Sequence, residues 1–193
     1  MRLAISLLFL ALPLGAAEKT RTLTNEPYGF EVTVPSAWSV QKVQQDDLDT
    51  ALDTGTAVMS LGGAGDEVKD PNGFQINAVQ MSIKPLPTVI VYAHRKPNQD
   101  AEALAKIIEE HLAKWETKPV RRNTSYTVNG MTGLEIEYDV FVPTRIVALF
   151  HDGTRYTFHY FVPAGETKWF KKYRKDFDEV VRSFRLVTST PAR

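Results

Sequence analysis

Cysteine is absent from all 193 residues of this chain, so no disulfide stabilises the fold and no cysteine is available to carry a lipid anchor. An excess of one charge is also missing, because 23 basic side chains balance 23 acidic ones. This balance excludes the strong overall positive field of a typical nucleic-acid-binding protein. The content of 43% hydrophobic and 24% charged residues is ordinary for a globular protein, which predicts one sizeable core.

Long hydrophobic runs are missing too, except at the N-terminus. Arg2 precedes an apolar stretch from Leu3 to Leu14, which is shorter than the roughly 20 residues that a membrane span needs. Small residues follow at Gly15 and Ala17, the pattern of a secretory signal peptide. The sequence therefore predicts that residues 1–17 are removed by cleavage after Ala17.

The expected mature chain, residues 18–193, is one domain located in the periplasm or secreted. Removing Arg2 takes the basic count from 23 to 22 against 23 acidic residues, a net charge of −1. No second apolar run is long enough for a transmembrane span, so none is expected in the mature chain.

The clearest strand signal lies at 144–162, where two apolar runs flank Asp152-Gly153. This dipeptide readily adopts positive φ and predicts a tight hairpin turn. The turn pairs Leu149 with Tyr156 and Val147 with Phe158, and both faces of the hairpin are then largely apolar. Apolar residues on both faces predict central strands that are covered above and below.

A second hairpin is predicted around Asn129-Gly130, which favours a type I′ turn. Its expected register places Arg122 opposite Glu137 and Thr124 opposite Glu135, so that an ion pair is favoured over acid–base chemistry. Consecutive hairpins indicate a meandering antiparallel sheet. Alternating or β-branched segments predict strands at 21–23, 30–34, 56–61, 74–83, 120–128 and 131–142.

Two amphipathic helices are expected to cover this sheet. Asn98 or Asp100 can cap the first helix, and Pro119 closes it. Its apolar stripe recurs at intervals of three and four and consists of Leu104, Ile107, Ile108, His111, Leu112 and Trp115. The second helix is predicted from Lys168 to Arg185.

The sequence contains no recognisable catalytic, metal-binding or nucleotide-binding motif, so a non-enzyme without a cofactor is expected. The four histidines do not have the spacing of convergent zinc ligands. Ser60 lacks the first glycine of a nucleophile elbow, and the glycines at 62–65 lack the lysine of a phosphate loop. The segment Gln44–Gly73 is acidic, but it does not match an EF-hand, so a solvated loop is favoured over a weak calcium site.

Charge is unevenly distributed along the chain. Seven acidic residues and one basic residue lie between Asp46 and Asp70, whereas five basic residues and no acidic one lie between Lys168 and Lys175. A solvated helix face is the simpler interpretation. The functional interpretation is a docking patch for an acidic partner or for anionic lipid headgroups. On one side of the second helix this patch consists of Lys168, Lys171, Lys172 and Lys175.

The start and the end of the mature chain resemble those of the PsbP-like and Mog-like superfamily. The start reads Tyr28-Gly29-Phe30 and then Val34-Pro35-Ser36-Ala37-Trp38, and the end reads Val180-Val181-Arg182-Ser183-Phe184-Arg185. The resemblance spans roughly Glu26 to Leu186. It implies an α+β fold, an α/β/α sandwich in which a meandering antiparallel sheet is covered by helices on both faces. The missing cysteine departs from several exported relatives that carry a lipid anchor.

The resemblance also implies a non-catalytic role in binding or assembly. The function expected from it is that of an exported accessory factor in the cell envelope, with another envelope protein as its partner. A different class of function is a carrier or sensor for a small ligand or ion. Such a carrier requires a pocket between sheet and helix or beneath Gln44–Gly73. An exported hydrolase ranks below both, since it has no candidate catalytic residues.

Overall fold

Strands dominate the computed structural model, which describes residues 20–43, 71–77, 87–162 and 167–187. The helices within these ranges are α1 (Ala101–Ala113), α2 (Thr167–Lys172) and α3 (Arg174–Ser183). All strand pairs are antiparallel, so the fold is mostly β with some helices. The strands are β1 (Thr20–Asn25), β2 (Phe30–Pro35), β3 (Ser39–Val43), β4 (Gly73–Asn77), β5 (Thr88–Arg95), β6 (Arg121–Val128), β7 (Met131–Asp139), β8 (Pro143–His151), β9 (Thr154–Phe161) and β10 (Arg185–Leu186).

The strands form two sheets rather than one. The larger sheet has the order β3-β4-β5-β9-β8-β7-β6, and the smaller has the order β1-β2-β10. The predicted meander is confirmed for β6 to β9, which are neighbours both in sequence and in the sheet. The smaller sheet was not predicted, because β10 has only two residues and pairs with a strand that lies about 150 positions earlier in the chain.

The central hairpin follows the predicted register. Leu149 pairs with Tyr156 and Val147 pairs with Phe158, and Asp152 and Gly153 have φ values of 46° and 67°. Every residue of β9 is buried. The expectation that this strand is covered on both of its faces is therefore confirmed.

The second hairpin has the predicted turn but not the predicted register. A β-bulge between Asn123 and Tyr126 shifts the pairing by one residue, so that Arg121 and not Arg122 lies opposite Glu137. The Asn123 side chain stabilises the bulge by accepting a hydrogen bond from the Ser125 amide at 3.0 Å. The extra residue also displaces Thr124 from its predicted position opposite Glu135, which pairs with Asn123 instead.

The same shift places Arg122 opposite Ile136 and directs its guanidinium towards α1. Arg122 forms ion pairs with Glu102 and, at 2.8 Å, with Glu109. The predicted pair with Glu137 is therefore wrong, because a bulge reverses the faces to which the residues beyond it point.

Sequence reasoning missed β5, although six of its eight residues are buried. It lies between β4 and β9 and connects the two halves of the larger sheet. Its run Thr88-Val89-Ile90-Val91-Tyr92 is rich in β-branched and aromatic residues, which favour a strand.

The first helix begins as predicted and ends earlier than predicted. The Asp100 side chain accepts a hydrogen bond from the Ala103 amide at 2.8 Å, so Asp100 rather than Asn98 is the N-cap. The helix ends at Ala113, and Trp115 is 51% exposed. Trp115 is therefore not part of the buried stripe to which its spacing assigned it.

The second predicted helix is divided at Tyr173 into α2 and α3. Backbone bonds continue across the division, from the Tyr173 amide to Trp169 O and from the Phe177 amide to Tyr173 O, each at 3.1 Å. The helical spacing of the lysines is therefore preserved. The segment ends in β10 instead of extending as helix to Arg185.

Buried apolar residues form separate clusters around the helices. One cluster contains Val147 of β8 together with Phe170, Phe177 and Val181 of α2 and α3. Another contains the preceding residue of β8, Ile146, together with the buried residues of α1. The buried residues of α1 are Leu104, Ala105, Ile108 and Leu112. Adjacent residues of one strand thus contribute to different clusters.

Several predictions lie outside the described residues. These are the signal peptide at 1–17, the strand at 56–61, most of the acidic segment Gln44–Gly73, and the end of the strand predicted at 74–83.

Candidate protein-binding surface

The four predicted lysines lie on α2 and at the start of α3, and all four are exposed. We refer to Lys168, Lys171, Lys172 and Lys175 as the lysine patch. Arg174 lies in the same stretch but is half-buried, and its Nη2 lies 2.8 Å from Glu137 Oε2. Arg174 therefore belongs to an internal ion pair and not to the patch.

Stacked aromatic rings hold the patch-bearing helices against the larger sheet. Tyr160 of β9 stacks on Phe170 and Phe177, with ring centroids 4.7 and 5.0 Å away. The Tyr160 hydroxyl donates a hydrogen bond to Phe170 O at 2.8 Å, and burial raises the pKa of this phenol above its ordinary value. Because α2 and α3 each contribute a buried ring to this stack, both helices that bear the lysine patch are packed against the sheet.

Two half-buried aromatic rings lie directly beneath two of the lysines. The Lys172 ammonium lies 4.6 Å from the Trp169 ring and 5.1 Å from the Tyr173 ring, and the Lys168 ammonium lies 5.3 Å from Trp169. Tyr173 in turn packs edge-on against the buried Trp38 at 5.9 Å. These contacts restrict the Lys168 and Lys172 side chains at modest energetic gain, so less conformational entropy is lost when a partner binds.

Acidic side chains near the patch only partly offset its charge. Lys175 lies 3.8 Å from Glu179, but both groups are largely exposed, so the pair contributes little to stability. The half-buried Asp176 follows the patch, and burial, together with repulsion from Glu179, raises the pKa of its carboxyl. The surface remains positive between Lys168 and Lys175.

Beneath the patch, ion pairs connect α3 with β7 and β8. Arg145 Nη2 lies 2.6 Å from Glu135 Oε1, and Arg145 Nη1 lies 2.6 Å from Asp178 Oδ1. The Arg145 guanidinium also lies 4.9 Å from the Phe177 ring centroid. Glu135 and Glu137 are thus engaged by Arg145 and Arg174 rather than by Arg122, and their role is structural.

The four histidines do not converge. His151 is exposed in the turn, 3.2 Å from Asp152, His94 contacts Asn72, and His111 lies on α1. His159 is buried among apolar groups, and desolvation lowers its pKa to about 4. Among the described residues, no group of three or more His, Asp or Glu side chains is arranged to hold a metal ion.

The buried His159 predicts a specific dependence of stability on pH. The unfolded chain binds a proton at this imidazole as the pH falls through about 6.5, whereas the folded chain resists protonation down to a pKa of about 4. Stability should therefore fall across this window, by roughly 3 kcal/mol at its lower end. Denaturant unfolding at a series of pH values should show that His159→Phe flattens this slope. The control His151→Gln should leave it unchanged, and an unchanged slope in His159→Phe would contradict the prediction.

A cleft of about 630 Å³ opens where α1 meets β6. We call it the α1 cleft. It is lined by Glu109, Ala113, Glu116, Thr117, Lys118, Pro119 and Arg122. Most of these side chains are exposed, so the α1 cleft is a surface feature and not an enclosed ligand cavity.

The fold is similar to that of a solved protein. The solution structure of cyanobacterial PsbP (CyanoP) from Synechocystis sp. PCC 6803 matches 90% of this chain and 99% of its own, with a TM-score of 0.53 and 14% sequence identity. The fold is PsbP-like. At this identity the similarity establishes the fold alone, and it supports the PsbP-like part of the resemblance but not the Mog-like part.

Comparisons at the sequence level assign this chain to no family. No protein-family model matches the sequence, and no curated protein is significantly similar to it. Within the described ranges, none of the helices has both the length and the apolar character needed to cross a membrane.

Proposed function

We propose that this chain is an exported, non-catalytic PsbP-like protein that binds an acidic surface of another envelope protein. The observation that carries this proposal is the lysine patch, in which four lysines are exposed and two of them, Lys168 and Lys172, lie over the half-buried rings of Trp169 and Tyr173. Such a surface raises the rate of association with an acidic partner and is sensitive to salt.

The internal layering that we infer supports this role. Ile146 and Val147 of β8 belong to different core clusters, one formed with α1 and the other with α2 and α3. Because adjacent strand residues point to opposite faces, we infer that α1 covers one face of the larger sheet and the α2–α3 pair covers the other. This helix–sheet–helix arrangement leaves the lysine patch on an outer surface, where a partner has access to it.

The alternative function of a small-ligand carrier has one observation in its favour, the α1 cleft. Its volume of about 630 Å³ lies within the range of ligand pockets. A ligand site of that kind normally encloses its ligand, whereas the α1 cleft is lined mostly by exposed side chains. We therefore favour protein binding over transport of a small ligand or ion.

Export is the part of the proposal that rests on the sequence of the first seventeen residues. We expect the mature chain to begin at Glu18, because Gly15 and Ala17 fit the small subsites of signal peptidase. Intact-mass measurement of the protein recovered from the periplasm or the medium checks this. A mature species that retains residues 1–17 would contradict it.

The lysine patch is tested by charge reversal. Changing Lys168, Lys171, Lys172 and Lys175 to glutamate should reduce recovery of the partner from an envelope fraction at least tenfold. The four residues are exposed, so the thermal midpoint should hardly move. The matched control changes the same four lysines to arginine, which keeps the charge and should retain binding.

The salt dependence of binding and binding to lipid vesicles distinguish the remaining interpretations of the lysine patch. Binding of the wild-type protein should weaken as the salt concentration rises. Partner recovery that is unaffected by both charge reversal and salt would show that the lysine patch is only a solvated helix surface. Patch-dependent binding to vesicles of anionic phospholipid, with no protein recovered, would replace the protein partner by a lipid surface.

A further inference from the structure

Three large apolar side chains are exposed in the described ranges, in segments that adjoin one another. Trp115, Val120 and Phe141 are 51%, 72% and 64% exposed. The rings of Trp115 and Phe141 meet edge-on with centroids 4.8 Å apart. The Val120 amide donates to Glu137 O at 2.7 Å, which places Val120 beside the end of β7, just before Phe141. We call these three residues the apolar patch; a group of exposed apolar side chains is typical of an interaction surface.

This apolar patch is continuous with the α1 cleft. Residues 116–119 line the cleft, and Trp115 and Val120 directly flank this segment in the chain. The cleft also reaches Arg122 at the start of β6, which is an edge strand of the larger sheet. Patch, cleft and sheet edge therefore form one surface at this end of the molecule.

Glu116 has an unusual backbone conformation at the mouth of the cleft. Its φ is +52°, and the turn that follows α1 is closed by hydrogen bonds from the Thr117 amide to Leu112 O and from the Glu116 amide to Ala113 O, each at 3.1 Å. This is the Schellman arrangement, in which glycine is the usual residue at the left-handed position. A side chain at that position costs stability, and the turn leaves the Glu116 side chain exposed at the cleft.

The charges of this surface complement each other between two copies. Glu116 and Lys118 are exposed, and neither forms an ion pair with a residue that the structure describes. Arg122, in the same cleft, is by contrast engaged by Glu102 and Glu109. One anion and one cation beside an apolar patch permit a self-complementary contact, because in a two-fold dimer a contact of Glu116 with Lys118 of the other copy is repeated by symmetry.

We propose that a second copy of this chain binds here. In the resulting two-fold dimer, the rings of Trp115 and Phe141 pack against those of the partner, and Glu116 of each protomer pairs with Lys118 of the other. A stable interface buries about 800 Å² on each partner, so the contact extends from the apolar patch into the α1 cleft and along the start of β6. The proposal does not depend on the lysine patch, which lies on α2 and α3.

Sedimentation equilibrium of the full chain over a wide concentration range tests the dimer. The weight-average mass of the wild-type protein should rise towards twice the monomer mass. Trp115→Ser combined with Phe141→Ser should keep the protein monomeric with an unchanged fold by circular dichroism. The control Lys106→Glu, at an exposed site on α1 that forms an ion pair with Glu110, should leave dimerisation unchanged.

Charge exchange tests the pairing itself. Glu116→Lys and Lys118→Glu should each weaken the dimer at least tenfold, because each variant places like charges opposite each other. An equimolar mixture of the two variants should form a heterodimer, in which both pairs again have opposite signs. If Glu116→Lys impairs folding, Lys118→Glu alone still tests the interface.

Three results would overturn the proposal. The first is a wild-type protein that stays monomeric at the highest concentration that remains in solution. The second is a dimer that is insensitive to the double substitution at Trp115 and Phe141. The third is a mixture of the two charge variants that stays monomeric. A monomer that loses its envelope partner when Trp115 is replaced would assign this surface to that partner instead of a second copy.

Discussion

Replacing Arg145 with methionine is expected to lower the free energy of unfolding by about 3–5 kcal/mol. Arg145 is 4% exposed and Glu135 is 2% exposed, and the guanidinium binds both this carboxylate and that of Asp178 at 2.6 Å. Without Arg145, the buried Glu135 keeps, among the described residues, the longer ion pair with the exposed Arg121, at 3.6 Å. A buried charge without a close partner is costly, and denaturant unfolding measures the loss.

A second substitution shows whether the loss of stability comes from the Glu135 carboxylate, which is left buried without Arg145. Combining Arg145→Met with Glu135→Leu removes both buried charges, and it should restore most of the stability. The matched control is Arg121→Ala, because the Arg121 side chain is 56% exposed and should contribute less than about 1 kcal/mol. Equal stability of wild type and the Arg145→Met single variant would contradict this account.

The parts of the fold that were predicted correctly depend on short-range signals. Asp152-Gly153 and Asn129-Gly130 each adopt the positive φ that a tight turn requires, and alternation of side chains then sets the register from the turn outwards. In the central hairpin this register holds along the whole ladder, from His151 opposite Thr154 to Thr144 opposite Phe161.

The errors arise where a single residue or a distant partner decides the structure. In the second hairpin, the Asn123 side chain supports a bulge that no periodicity reveals, and the bulge transfers Arg122 from Glu137 to α1. Arg145 and Asp178 lie 33 positions apart, yet they are bonded. Such pairs follow from the packing of α3 on the sheet and not from sequence spacing.

The two candidate surfaces also differ in whether sequence spacing predicts them. The lysine patch was evident from spacing alone, because helical periodicity survives the division at Tyr173. The α1 cleft was not evident from the sequence, since the same periodicity assigned Trp115 to the buried stripe. The helix instead ends at Ala113 and turns at Glu116, and a glutamate gives no sequence signal for a left-handed residue.

Phe184→Ala is expected to cost about 3–5 kcal/mol of stability, because this residue connects the two sheets. Its ring is fully buried and lies 5.9 Å from Phe30 in the smaller sheet and 5.1 and 5.5 Å from Tyr156 and Phe158 in the larger one. Ser183 strengthens the same junction, since its hydroxyl accepts a hydrogen bond from the Thr33 amide at 2.8 Å. The Ser-Phe ending that carries the PsbP-like resemblance is thus a structural connector.

Two measurements distinguish this role from a general loss of core volume. Native-state hydrogen exchange of Phe184→Ala should show that amides of β1 and β2 lose protection before those of β8 and β9, because their sheet loses its anchor. The control Phe141→Ala removes an aromatic ring that is 64% exposed, and in dilute protein it should change stability by less than about 0.5 kcal/mol. Uniform loss of protection across both sheets would show that Phe184 acts only by filling the core, and that the smaller sheet is held by its other contacts.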